Sequence, residues 1–393
     1  MPPAPRPRLP QALREFLATE AASGVLLLGA TVVALLWANS PWNDSYERLW
    51  DTTTTVSIGA WHLPGDLRHW VNDGLMAVFF FVVGVEIKRE LVDGELQDPR
   101  AAALPVLAAL GGMVVPALLF TVVNVGGAGG RGWGVPMATD IAFAVGVVVL
   151  LGPRVPPGLK LFLLTLAIAD DIGAIVVIAL FYTRSIDVLA LAVAFAAFGA
   201  VLVLRRLGVT SLAPYAAVAA VAWLAMFTSG VHATIAGVVL GLLTPARPAP
   251  SPAERLEHLL HPLTGYVIIP IFALANAGIE IRSGMLDGEG ATRVAVGVLL
   301  GLVVGKTLGI TLASWLAVRL GLGVLPAGAT WRHLVGVAAL AGIGFTVALF
   351  VSGLAFDRPE LDDAAKVGIL AGSVLAAVVG SLLVASAGRA QQS

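Results

Sequence analysis

This 393-residue chain contains no cysteine, which rules out disulfides, cysteine-ligated metal sites and thiol nucleophiles. It is also short of charge: charged residues make up 12% of it, against about a quarter in ordinary soluble domains. A formal net charge of -1 leaves no general basic surface, so nucleic acid is not expected as a partner. The opening residues, MPPAPRPRLPQALREF, have no apolar stretch followed by a small-residue cleavage site, so no cleaved signal peptide is expected. No spacing of histidines and acids matches a zinc site. What the chain has in excess is apolar residues, 58% of the total, and that composition places it in a lipid bilayer.

One apolar run organises the rest. Leu161 to Tyr182, LFLLTLAIADDIGAIVVIALFY, carries Asp170 and Asp171 at its middle, with nine uncharged residues before the pair and eleven after it. At about 1.5 Å of rise per residue a helix of this length spans roughly 33 Å, enough to cross a hydrocarbon core of about 30 Å. The two acids cost roughly 5 to 7 kcal/mol to insert, and the thirteen Leu, Ile, Val and Phe residues return roughly 4 to 8 kcal/mol. A segment made marginal by two mid-membrane acids has them for use, and the usual use at that depth is an ion or proton pathway. Adjacent helical residues point about 100° apart, so one structural partner does not account for both.

Twelve spans are predicted, at about 21 to 38, 67 to 87, 103 to 123, 134 to 151, 161 to 182, 187 to 204, 212 to 228, 232 to 243, 262 to 279, 294 to 318, 334 to 356 and 365 to 387. An even number puts both termini on one side. If the chain starts inside, the inner segments hold fifteen Lys and Arg and the outer segments eight, so both termini are read as cytoplasmic. The remaining cation, Lys306, lies in VAVGVLLGLVVGKTLGITLASWLAV with twelve uncharged residues on each side, as deep as the acid pair.

Two spans are interrupted. In span four, GVPMATDIAFAVGVVVLL, Pro136 precedes Thr139 and Asp140; proline removes a backbone donor, so the helix is expected to break there. Span eleven, LVGVAALAGIGFTVALFVSG, has Gly342 and Gly344 about one third along. Each is the middle span of a group of three, over about 103–182 and 294–387. The first group starts inside and the second outside, the parity an inverted repeat requires. Broken helices leave unpaired backbone groups and partial charges in a low dielectric. An acid near facing N-termini and a cation near facing C-termini compensate them, and Asp140 and Lys306 fit those places by type and depth. That role needs no chemistry, so a purely structural reading of these two stays open.

The loop from Asp51 to Leu63, DTTTTVSIGAWHL, is rich in β-branched residues around Gly59 and is predicted as a small outer hairpin whose edge would pair with a second copy; a solvated loop is the alternative. After span eight, TPARPAPSPAERLEHLLHP joins a proline-rich connector to a short polar helix with Glu254, Glu257, His258 and His261 on one face. Span two ends in Glu86, Lys88, Arg89 and Glu90 on the same predicted side, so the two charged groups are placed to meet. The alternative is a solvated helix end. His232, which begins span eight, reads more simply as a helix-end histidine than as a metal ligand.

Together the segments VNDGLMAVFFFVVGVEIKREL, ATDIAFAVGVVVLLG, LAIADDIGAIVVIALFY, SGVHATIAGV, RLEHLLHP, IFALANAG, GKTLGI and GIGFT resemble the NhaA-type sodium/proton antiporters, over about Leu13 to Ser386. The resemblance implies an all-α polytopic membrane protein with twelve transmembrane helices, inverted three-helix repeats and two interrupted, crossing helices. It implies a single transporter domain over 1–393, no enzymatic activity and no cofactor, in the plasma membrane of a bacterium, the inner membrane of a Gram-negative one. The transported species would be Na+ or Li+ and H+. The family's ion site carries over to Asp170 and Asp171 with Thr139 and Asp140 beside them, and its partner lysine to Lys306. Its pH-responsive entrance carries over to Glu86, Glu90, Arg255, Glu257, His258 and His261, and its outer-side Asp and His to Asp73 and His232. One position departs: Glu254 lies where the best-known member has a basic residue, which leaves the pH range of a sensor open.

On this reading protons and a small hard cation compete for the same carboxylate oxygens and the Thr139 hydroxyl, and that competition couples the two fluxes. A sodium-coupled symporter of an organic anion would need polar groups for the solute that the interrupted spans do not offer. An intramembrane aspartyl protease would need a second acid in a Gly-x-Gly-Asp setting, which is missing. A channel is disfavoured because alternating protons and cations on one buried pair is the work of a carrier.

Overall fold

The structure, a computed structural model, describes residues 11–58, 61–183, 186–209, 211–247 and 251–390. It is nearly all helix. Among the described residues nine helices are long and apolar enough to cross a membrane, and a tenth crossing is available to Trp331–Leu340 and Phe345–Ala355, a pair bent by 47°. Two of the twelve expected spans fall short of that standard for visible reasons. Met76–Asp93 ends in the charged run EIKRELVD, and Thr234–Leu243, at 10 residues, is roughly 15 Å long.

Helix ends follow local chemistry. Asp98 accepts the Arg100 N–H at the start of Pro99–Val123, with Pro99 in the first turn where its missing donor costs nothing. Asp187 caps Val188–Arg206 through the N–H groups of Leu189 and Ala190. Gly230, at φ 82°, ends Leu212–Ser229 in the left-handed conformation that glycine adopts without strain. The hairpin forms as an antiparallel pair, Thr53–Ile58 on Trp61–Asp66, with Thr53 opposite Asp66 and Ile58 opposite Trp61. Its tip, Gly59 and Ala60, lies outside the described residues.

The chain divides into two compact units. One comprises Met1–Leu26, Asp98–Gly173 and Gly284–Ser393; the other comprises Leu27–Gln97 and Ala174–Ser283. The first is built on a core that includes Leu159, Leu163, Leu166, Ile310, Leu334, Val337 and Ile343. Lipid tails are as apolar as leucine, so close packing rather than expulsion of water holds such a core. Small residues provide it where Pro99–Val123 meets Lys306–Arg319: a Cβ on Gly309 would overlap the Gly111 carbonyl, and one on Gly305 would come within 2.7 Å of Pro116 Cα. Gly301–Gly305 is a π-helical turn, a form often found at functional sites, and the next residue is Lys306. In the second unit Val188–Arg206, Leu212–Ser229 and Thr234–Leu243 close around Ala194, Phe198, Ala222, Met226 and Ala236.

Candidate ion-binding site

The interrupted segments meet at their breaks, inside the first unit. Gly130–Met137 is a 3₁₀ turn that includes Pro136, Ala138 to Asp140 carry no helix, and Ile141–Leu151 resumes as α-helix. The break falls just beyond the proline at which sequence placed it. Asp140, extended at φ -86° and ψ 106°, is the N-cap of the following helix, and its Oδ1 accepts the Phe143 N–H at 3.1 Å. The second break lies at Gly342 and Gly344, as read from sequence, between Trp331–Leu340 and Phe345–Ala355. The two are joined directly: the Asp140 N–H donates to the Ile343 carbonyl at 2.6 Å, and the Thr139 hydroxyl donates to the Ala341 carbonyl at 2.8 Å. Gly342 has no room for a side chain, because a Cβ there would overlap the Leu302 carbonyl.

Asp140 serves both half-helices. Its Oδ2 accepts from the Thr346 N–H at 3.0 Å and from the Thr346 hydroxyl, in the first turn of Phe345–Ala355. Two helix N-termini, each carrying partial positive charge, thus face one buried carboxylate. Thr346 is the residue that sequence reasoning missed, although GIGFT contains it.

Lys306 sits beside the first acid of the pair. Its Nζ donates to Asp170 Oδ2 at 2.5 Å and to Thr139 Oγ1 at 2.9 Å, and both ends of the ion pair are 0% exposed. Thr139, whose own proton goes to Ala341, links it to the C-terminal end of Trp331–Leu340. Such a pair persists in low dielectric only where attraction and further hydrogen bonds offset the desolvation of both ions. The other oxygen, Asp170 Oδ1, is buried without a well-formed hydrogen bond among the described residues, although the Thr139 hydroxyl and N–H lie close enough to act on the Asp170 carboxylate. Asp171 follows in sequence, is buried too, and its charge acts on Lys306. The oxygens at hand for a small cation are therefore Asp170 Oδ1, the Asp171 carboxylate and, once the lysine leaves, Thr139. Asp140, holding three donors, belongs to the scaffold of the site.

The remaining sequence candidates lie in the second unit. The charged groups of Met76–Asp93 and Pro252–Leu263 do meet: Arg89 Nη1 lies 2.5 Å from Glu257 Oε1, with Glu257 buried and its Oε2 without a hydrogen-bond partner among the described residues. Glu86 and His261 are half-buried, and Arg255 and His258 are exposed. Glu90 Oε1 accepts the Glu95 N–H at 2.8 Å. Glu254, the position at variance with the family, closes a capping box: its N–H donates to Ser251 Oγ at 3.2 Å and its Oε2 accepts the Ser251 N–H at 2.8 Å. Its side chain is thereby turned to the helix start. Replacing Glu257, His258 and His261 together by Gln is expected to shift the pH profile of exchange by more than about 0.5 units and to change the maximal rate less than about twofold. A profile that stays within about 0.2 units, measured from about pH 6 to about pH 9, would leave the cluster as a solvated helix end.

Asp73 lies in a π-helical turn, Trp70–Leu75, with its carbonyl accepting the Trp223 indole N–H at 2.9 Å. His69 Nδ1 is 3.3 Å from Asp73 Oδ2, a partner that sequence reasoning did not name although it stands four residues earlier. His232 Nε2 is 3.0 Å from the Tyr182 carbonyl.

Comparison with known proteins identifies the family. The model of the family described as Na+/H+ antiporter 1 matches residues 14–384. The Na+/H+ antiporter NhaA 3 of Frankia alni is 47% identical over 423 residues, covering 97% of this chain and 91% of its own length. The Na+/H+ antiporter NhaA of Shewanella loihica is 47% identical over 375 residues, with 94% and 96% covered, and that of Rhodospirillum rubrum 47% over 386 residues, with 95% and 96% covered. A match of that extent, over a chain whose helices bring an acid, a threonine and a lysine together at two crossing breaks, makes this protein a member of the Na+/H+ antiporter 1 family.

Proposed function

We propose that this protein exports Na+ or Li+ from a bacterial cell in exchange for H+ by alternating access, and that it moves two protons per cation. Membership of an antiporter family makes it a transporter and not an enzyme. The observation that carries the proposal is Asp170: fully buried, with one oxygen on Lys306, Thr139 beside it, and a second buried carboxylate next to it in the chain. A buried pair of carboxylates attracts a proton or a small cation, and hard carboxylate and hydroxyl oxygens suit Na+ and Li+. The cation gains the second Asp170 oxygen and Thr139 only if Lys306 withdraws, so the ion pair and the bound cation exclude one another. The twelve-span topology with inverted repeats around the two breaks supplies the motion, one bundle rocking against the other, with both termini in the cytoplasm and Na+ and internal pH as the regulated quantities.

Exchange is electrogenic on this account. Two protons enter for each monovalent cation that leaves, so one net positive charge moves inward per cycle, whether the second proton rides on an acid or on Lys306. A potential of about 100 mV, negative inside, then contributes roughly 2.3 kcal/mol to expelling Na+ with no pH gradient. Reconstituted vesicles with an imposed K+/valinomycin potential are expected to show Na+ flux that follows the potential; flux indifferent to it would mean one-for-one exchange.

A further inference from the structure

We propose that Asp362 is a positioning residue for the ion site, acting through Ser352 and Lys366 at the far end of the half-helix Phe345–Ala355. The Ser352 hydroxyl donates to Asp362 Oδ1 at 2.5 Å, and Lys366 Nζ lies 2.8 Å from Asp362 Oδ2. Ser352 is fully buried, and the Lys366 side chain is 8% exposed although it is a cation. Asp363 stands 3.7 Å from the same Nζ but is half open to solvent, so Asp362, at 18%, is the closer and less exposed partner.

The half-helix is thereby held at both ends by carboxylates of neighbouring elements. Asp140 takes its first-turn N–H and the Thr346 hydroxyl; Asp362 takes Ser352, six residues or about 9 Å further on. Glu360 and Asp362 both lie in the first turn of Pro359–Ala390, where one acid already serves the helix dipole. Apolar residues at these three places would hold the helices together as well, because a buried ion pair adds little net stability over apolar packing. What the pair adds is one defined placement, through a directed hydrogen bond, for the helix whose start sets Asp140. Asp140 is bonded in turn to Ile343, and its neighbour Thr139 holds Lys306. A shift of the half-helix along its axis therefore displaces the Thr139 hydroxyl relative to Asp170, all within one compact unit.

This inference rests on the proposed exchange activity and is tested through it. Ser352→Ala, Asp362→Asn and the double variant are reconstituted alongside the parent, and KM for Na+, maximal rate and melting temperature are measured for each. Each single variant is expected to raise KM about three- to tenfold, the range over which packed elements transmit coupling, with maximal rate within about twofold. The double variant is expected to match the larger single effect, because both remove one link. A KM within about twofold of the parent in both single variants, whatever the melting temperature does, would make the cluster a structural clasp and overturn the inference. Effects that multiply in the double variant would overturn the direct link. Parent vesicles that move no protons in response to Na+ would overturn the exchange reading and the inference with it; an active parent with unaltered variants overturns the inference alone.

Discussion

Asp171→Asn abolishes Na+-dependent proton movement while the protein still inserts and folds. Asn keeps the shape of Asp but carries no charge, so insertion becomes easier, by less than the roughly 2.5 to 3.5 kcal/mol that the acid costs because the amide is still polar. Folding is expected to survive because the scaffold of the site is held by the bonds of Asp140 to Thr346 and of Thr139 to Ala341. Transport is lost on two counts. The variant gives up a charged ligand worth about 1.5 to 3 kcal/mol to the cation, and it gives up one of the two places where a proton is exchanged for that cation. Dye-monitored proton movement in proteoliposomes reads the result. Near-normal exchange with unchanged cation affinity in Asp171→Asn would remove the ion site from Asp171.

Lys306→Met has the largest expected effect on stability. The substitution leaves Asp170 at 0% exposure without its ion pair, and removing one partner of a buried pair costs about 3 to 5 kcal/mol. Adding Asp170→Asn to the same variant removes the stranded charge, so the double variant is expected to recover to within about 1.5 kcal/mol of the parent. The recovery is the informative part, since a simple packing defect at Lys306 would persist. Thermal unfolding of the two variants in detergent measures it. Equal destabilisation of the single and the double variant would mean that Lys306 holds the helices by packing alone.

Much of the site was legible before any coordinates, because depth in a membrane is a one-dimensional property that a sequence displays. The ADD pair, Lys306 and the two interruptions all announce themselves as charge, Pro or Gly in runs too apolar to carry them without cause. Asp140 could be assigned to helix N-termini because, of the two ends a break exposes, an acid compensates only the positive one. What stayed hidden depends on which helices touch. Lys306 and Asp170 are 136 residues apart, and both their helices pack on Pro99–Val123, one through Gly305 and Gly309 against Pro116 and Gly111, the other where Gly173 meets Met113. Thr346 looks like any small residue of a span until two helix starts share one carboxylate. Glu254 is a different case: it was weighed as a functional departure, yet Ser251 three residues earlier already spelled a capping box, a local signal that accounts for its side chain. Among the candidates of the predicted inner side, sequence placed the two charged groups to meet, and the fold selects Arg89 and Glu257 as the pair.

Competition between protons and cation for the Asp170 and Asp171 oxygens is the centre of this account, and equilibrium binding of Na+ to the purified protein tests it without reference to flux. Each proton displaced by the cation makes the apparent Kd rise roughly tenfold for every unit that pH falls, across the range where the carboxylates are protonated in the cation-free protein. Calorimetric titration in two buffers of different ionisation enthalpy counts those protons directly. The account predicts a Kd that climbs steeply from about pH 9 to about pH 6, proton release on binding, and loss of both in Asp171→Asn. A Kd that is flat over that range, with no proton released, would contradict it.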